Sequence, residues 1–380
     1  MSKHWYSLAQ SRSTWFRSGA LATAVALLCA CPQLLEDDFS LHGIGLDDAV
    51  GNVPNGGSSG GDDAAGNQSA GGSGGAGGGS SGVAGAAGAS SPGGSSGAGA
   101  AGAAGIAGAS GIDLSRCAFG EPQLLAGLGL SASMWGPSLS ADGLTLYFSS
   151  DAAGSEDLYQ ATRSARGTTF AAAVPLDPLN TGAGEGSPYA TADGLTLYFY
   201  SSRSGGVGSR DLYTATRTSP SAELANVQLL SNVNAGNYDH LPRLSADELT
   251  LLFTSARSGS PGAASLWTAT RSSTSGSFSP PSLLPGVNDS ALNEAGGLSA
   301  DGLTLYFDST RAGLGGHDLW QATRASVGAA FADVAPLGTL NTSDDEYNVS
   351  LSRDELELVF TSNRNGSATY RLYRSLRSCP

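Results

Sequence analysis

The sequence predicts an all-β fold: a five-bladed β-propeller whose N-terminal strand closes the last blade, preceded by a disordered Gly/Ala/Ser linker. Three observations carry this reading. The segment SADGLTLYF at 140–148 returns as TADGLTLYF (191–199), SADELTLLF (245–253), SADGLTLYF (299–307) and SRDELELVF (352–360), which spaces Asp142, Asp193, Asp247, Asp301 and Asp354 by 51, 54, 54 and 53 residues. A second block follows each time: DLYQATR (157–163), DLYTATR (211–217), SLWTATR (265–271), DLWQATR (318–324) and RLYRSLR (371–377). An unmatched strand pattern, Phe119 to Leu125, precedes the first unit and would supply what the last unit lacks. A period of about 50 residues built from strand-like segments marks a propeller or solenoid.

Each unit reads as four strands. A short strand ends at the Asp, and Asp142-Gly143, Asp193-Gly194 and Asp301-Gly302 reverse the chain, because Gly accepts positive φ. The next strand, Leu-Thr-Leu-Tyr-Phe, is dense in β-formers. Leu144, Leu146 and Phe148 point one way, Thr145 and Tyr147 the other, so the sheet needs cover on both faces, which neighbouring blades provide. A Ser/Gly/Arg loop leads into the third strand, Asp-Leu-Tyr-x-Ala-Thr-Arg. A weaker fourth strand follows, as in Phe170 to Leu176 and Phe331 to Leu337. Four antiparallel strands per unit make one blade.

The last unit stops at Arg377-Ser378-Cys379-Pro380, without a fourth strand. Phe119-Gly-Glu-Pro-Gln-Leu-Leu matches the fourth-strand pattern and would complete it, removing the open edges. Cys117 lies two residues before Phe119 and Cys379 two after Arg377, so pairing of those strands brings the sulfurs together, and an oxidising compartment permits the bond.

The N-terminus carries Lys3, Arg12 and Arg17, then an apolar run from Gly19 to Ala30, too short for a membrane-spanning helix and suited to a signal-peptide core. Its end, Leu28-Cys29-Ala30-Cys31, resembles the bacterial lipobox, which implies acylation of Cys31 and removal of Cys29 with the signal. Pro32, where an inner-membrane retention signal has Asp, implies the outer membrane. Residues 1–30 thus read as a lipoprotein signal, 31–111 as a tether and 112–380 as the propeller. Residues 51–111 hold 24 glycines in 61 positions, too little apolar surface to offset chain entropy. Such a chain has a reach of about 45 Å. The net charge of −14, with Lys3 the single lysine, argues against nucleic-acid binding.

The unit S-x-D-G-L-T-L-Y-F-x-S-x-R-x-G-G-x-G-x-x-D-L-Y, most complete from Thr191 to Tyr213, resembles the WD-like repeats of the TolB type. The resemblance extends over 117–380 and implies a propeller used as a binding scaffold. The TolB type also has a longer ring and a separate N-terminal domain, so its partners are not implied.

Eight residues before each turn Asp stands the column Met134, Glu185, Asp239, Asn293 and Glu346. The next column holds Trp135, Gly186, His240, Glu294 and Tyr347. Both begin the inner strand and should border one channel mouth. Four carboxylates and a His near an axis could bind a divalent cation, a glycan or a basic segment of an envelope protein. Carboxylate pairs also serve glycoside hydrolysis. The alternative is that these side chains cap their own strands. The turn aspartates, the arginines Arg163, Arg217, Arg271, Arg324 and Arg377, and the loop arginines Arg203, Arg257, Arg311 and Arg364 recur too regularly for catalysis and read as structural. His317 shares its column with Glu156, Arg210, Ala264 and Tyr370 and reads as a variable loop position. No H-E-x-x-H, G-x-S-x-G or G-x-x-x-x-G-K occurs, so no catalytic residue and no resident cofactor is assigned.

Overall fold

The structure, a computed structural model, describes residues 114–379. The lipobox, Cys31 and the tether lie outside the described residues. The described chain is all-β apart from a 3₁₀ turn at Leu114–Arg116, and its strands form five antiparallel sheets arranged as propeller blades. The inner strands are Met134–Leu139, Glu185–Ala190, Asp239–Leu244, Asn293–Leu298 and Glu346–Leu351, and they pack side by side around the axis.

The period-two pattern explains why the blades stack. In the first blade Leu146 and Phe148 pack with Val359 and Leu372 of the fifth, while Tyr147 packs with Leu197 and Phe199 of the second. The same alternation builds a separate core at each of the five interfaces. Phe148, Phe199, Phe253, Phe307 and Phe360 are all fully buried, one per blade. Burying such a ring contributes about 1.5–3 kcal/mol each.

At the Asp turns, Gly143, Gly194 and Gly302 take φ of 70°, 68° and 70°, while Glu248 and Glu355 hold the same position at 61° and 62°. A side chain there is strained. Both glutamates gain a compensating contact across a blade boundary: Ala192 N donates to Glu248 Oε1 at 2.6 Å and Ala300 N to Glu355 Oε1 at 2.7 Å.

The fourth strands are shorter than their sequence pattern, Val174–Pro175 and Ala332–Pro336 in the first and fourth blades. Phe170 and Phe331 precede them, off the ladder, and lie buried under the guanidinium groups of Arg163 and Arg324 at 4.6 and 4.5 Å. Closure is as expected. Ala118–Phe119 and Gln123–Leu124 both pair antiparallel with Arg371–Ser378, interrupted at Gly120-Glu121-Pro122. A Cys117–Cys379 disulfide joins positions 262 residues apart. A second tie crosses the seam inside the ring, where Arg163 of the first blade donates bidentately to Glu357 of the fifth at 3.1 and 2.6 Å.

Candidate ligand site at one channel mouth

Every inner strand carries a register shift in its pairing with the second strand, after its second residue in four blades and after its third, Ala295, in the fourth. Gly136, Ser187, Leu241 and Asn348, at the third position, have φ between 53° and 58°. Such bulges re-aim side chains. They set the first and second residues of each inner strand to different tasks.

The first column turns back onto its own blade. Glu185 accepts from Thr181 N (2.8 Å), Thr181 Oγ1 (2.8 Å) and Ser201 Oγ (2.6 Å), with Arg203 at 3.5 Å. Glu346 repeats this with Thr342, Ser362 and Arg364, the last at 3.2 Å. Asp239 accepts from Ala235 N at 2.7 Å and pairs with Arg257 at 2.6 Å. Asn293 Oδ1 accepts from Arg311 at 2.7 Å. In the first blade Met134 stands in the acid's place and Ala152 in the arginine's, so polar side chain and arginine are lost together. The loop arginines also donate to Leu179, Val233, Val287 and Leu340 carbonyls, each at 2.7 Å, which explains their recurrence.

The second column converges, and it recruits two further columns. One is the ladder partner on the second strand: Ser149, Tyr200, Thr254, Asp308 and Thr361 face Trp135, Gly186, His240, Glu294 and Tyr347 in register. The other precedes the third strand: Glu156, Arg210, Ala264, His317 and Tyr370.

Contacts run from blade to blade in a closed circuit. Trp135 lies 6.1 Å from Tyr370, centroid to centroid, Tyr370 5.5 Å from Tyr347, and Tyr347 4.1 Å from His317. His317 Nδ1 is 3.3 Å from Asp308 Oδ2, and Glu294 Oε1 is 3.5 Å from His240 Nε2. His240 is edge-on to Tyr200 at 6.2 Å. Tyr200 donates to Glu156, which also accepts from Ser149 Oγ at 2.6 Å beside Trp135. A Cβ at Gly186 would collide with Glu156 Oε1, so that glycine makes room for the carboxylate. The mouth therefore has an aromatic half from the fifth and first blades and a charged half that begins at Glu156 of the first blade and runs through the second, third and fourth. Of the sequence-based site residues, Trp135, His240 and Glu294 join this circuit; Glu185, Asp239 and Glu346 sit behind it.

Burial dominates the electrostatics. It pushes Glu294 up to about 8, helped by the charge of Asp308, and pushes Asp308 up to about 8 against hydrogen bonds that favour its anion. Glu156 is raised by burial, with Arg210 opposing. Below this mouth Arg243 crosses from the third blade to donate to Pro137 O of the first at 3.4 Å, and burial lowers it to about 10.

Sequence reasoning missed Asp308 and His317. Asp308 lies inside a repeated strand, where the signal was an Asp in place of Ser, Tyr or Thr. His317 stands in a column whose variability was read as looseness, yet its backbone is tied on both sides: its N–H donates to Asp345 at 3.1 Å and its carbonyl accepts from Glu346 N at 3.0 Å.

No family model matches the sequence, and no curated protein does. Among solved structures the chain is similar to TolB from Acinetobacter baumannii, at 20% identity and a TM-score of 0.43 over 65% of this chain. It spans 55% of that TolB's length. It is also similar to Zg3597, a family 117 glycoside hydrolase from Zobellia galactanivorans, at 12% identity and a TM-score of 0.46 over 70% of this chain and 91% of that one. For the α-L-arabinofuranosidase PaAbf62A from Podospora anserina the values are 14%, 0.45, 68% and 96%. These likenesses concern the fold.

Proposed function

We propose that this protein is a cell-envelope lipoprotein, anchored through Cys31 in the outer membrane, whose propeller is a binding scaffold for an envelope protein or glycan. One observation carries the binding role. Three columns of a chain that otherwise repeats itself hold different residues in nearly every blade, and all three meet at one mouth. A repeat keeps a residue constant where packing alone selects it. Trp135, Tyr347 and Tyr370 offer an apolar, stackable surface, and Glu156, Arg210, His240, Glu294 and Asp308 offer charge beside it. Together they suit a ligand with an apolar face and polar edges.

The test is capture from envelope extract. Wild-type protein should retain a partner that Trp135→Ala and Arg210→Ala lose, while Arg353→Ala at the opposite mouth keeps it. Equal capture by all three variants, each folded by its melting curve, overturns the reading. The anchor has its own test: Cys31→Ser should abolish fatty-acid labelling and release the chain from membranes, and unchanged labelling refutes it.

A second reading is a carbohydrate-active enzyme using the axial carboxylates. It is favoured by Glu294 and Asp308 facing each other across one ladder, where burial shifts Glu294 toward the protonated form that a general acid uses. Hydrolysis of an oligosaccharide by wild type and its loss in Glu294→Gln would support that reading over the scaffold.

A further inference from the structure

We propose that the charged half of this mouth holds one divalent transition-metal ion of the zinc class, bound by Glu294, Asp308 and His317 of the fourth blade, with the fourth coordination position left to water or a bound ligand. The inference names a ligand for the mouth read above as a binding site and rests on that reading only for its place.

Three donors come from neighbouring positions of one blade. Glu294 and Asp308 are ladder partners on the inner and second strands, and His317 precedes the third. One ligand atom from each lies within 4.8 Å of the others. His317 Nδ1 faces Asp308 Oδ2 at 3.3 Å, while His240 Nε2 of the third blade faces Glu294 Oε1 at 3.5 Å from outside this group. A tetrahedral ion at about 2.0–2.1 Å from its ligands requires donor–donor edges of about 3.3–3.4 Å. The Asp308–His317 pair stands at that spacing.

The donors are oriented from behind. Asp308 Oδ1 accepts from Asn348 N at 2.7 Å, which leaves Oδ2 toward His317. Asn348 Nδ2 stands 3.5 Å from Glu294 Oε2, opposite the oxygen that faces His240. The His317 ring is packed on Tyr347. Support of this kind is what metal sites use to fix ligand geometry.

A second, independent observation concerns countercharge. Elsewhere the inner-strand acids and Glu357 are neutralised by arginine, Glu185 by Arg203, Asp239 by Arg257, Glu346 by Arg364 and Glu357 by Arg163, while the equally buried Asp211 and Asp318 accept from backbone N–H groups. Among the described residues no arginine lies within ion-pairing distance of Glu294 or Asp308; each faces an imidazole. The charges of Arg210 and Arg243 reach Glu294 and Asp308 only from beyond ion-pairing distance, and a metal ion would place positive charge in direct contact with both. The donor set also selects the ion. Calcium takes six to eight oxygens, whereas an imidazole with two carboxylates and one open position suits zinc or cobalt.

The experiment uses the untagged full chain in detergent, stripped with a chelator and titrated with zinc against a chromophoric competitor, with cobalt in parallel. The expected result is one zinc per chain and the intense visible absorption of four-coordinate cobalt. His317→Ala and Asp308→Asn should each weaken zinc at least tenfold. Glu185→Gln, which removes an arginine-paired acid outside the cluster, should leave zinc affinity unchanged. Wild-type zinc affinity no greater than that of the Asp308→Asn/His317→Ala double variant overturns the proposal, as does a preference for calcium or the weak spectrum of six-coordinate cobalt. The cobalt spectrum is read on wild type, so a variant that fails to fold does not leave the question open. Capture from envelope extract, run on stripped and loaded protein, separates the two readings: zinc without capture overturns the scaffold alone, and capture without zinc overturns the ion alone.

Discussion

The two mouths of the channel are built from the two ends of the same inner strands, and they obey opposite rules. At the turn mouth the blades agree. Asp142, Asp193, Asp247, Asp301 and Asp354 each accept from a Ser or Thr hydroxyl two residues back, at 2.5–2.7 Å, and from the backbone N–H two residues on. Arg163, Arg217, Arg271 and Arg324 donate Nε to the turn carbonyls at 2.6–2.8 Å. Arg217, Arg271 and Arg377 also reach Tyr147, Tyr198 and Tyr306 of the preceding blade. At the other mouth almost nothing repeats. Uniform residues hold the blades together, and residues freed from the repeat are available for a ligand.

Breaking the turn mouth or the seam should therefore cost stability. The largest effect expected is for the seam disulfide. Cys117→Ser with Cys379→Ser frees a 262-residue loop, and the chain-entropy model sets the loss at up to about 5 kcal/mol. Nonreducing peptide mapping should recover the linked peptides, and denaturant melts should show the loss; two freely alkylated thiols in native protein would contradict it. Next, Arg163→Ala leaves buried Glu357 with only the longer contact to Arg374 at 3.8 Å, for up to about 3–5 kcal/mol. Chemical unfolding measures it, and a shift under about 1 kcal/mol would mean that the seam does not depend on this pair. Third, Asp193→Ala removes its bonds from Thr191 Oγ1 and Leu195 N at one of five turns, for about 1–2 kcal/mol. None of these folded variants should change what the opposite mouth binds.

The same contrast explains what could be read from the sequence. Blade number, turn positions, closing strand and disulfide were legible because repetition advertises them. The roles of the recurring arginines were legible as structure for the same reason. The mouth was legible only to its neighbourhood. A one-residue difference along a strand moves a side chain to another face. That offset separates Glu185, Asp239 and Glu346, held by their arginines, from Trp135, His240 and Glu294. The joint absence of acid and arginine from the first blade was a sequence signal for that pairing. Asp308 needed the ladder register to be seen opposite Glu294, and His317 needed the fold to be seen as anchored.

The central claim, that one mouth departs from the repeat for a reason other than stability, is tested most directly by restoring the repeat. Asp308→Thr with His317→Ala gives the fourth blade the residues that Thr254 and Ala264 hold in the third. The measurement is the melting temperature of metal-free protein before and after this graft. Relief of a buried carboxylate with no arginine in ion-pairing contact should offset the lost bond from Asn348 N and leave it unchanged or raise it. A fall of several degrees, comparable to that of Arg163→Ala, would show that these residues hold the blades together and contradict the account.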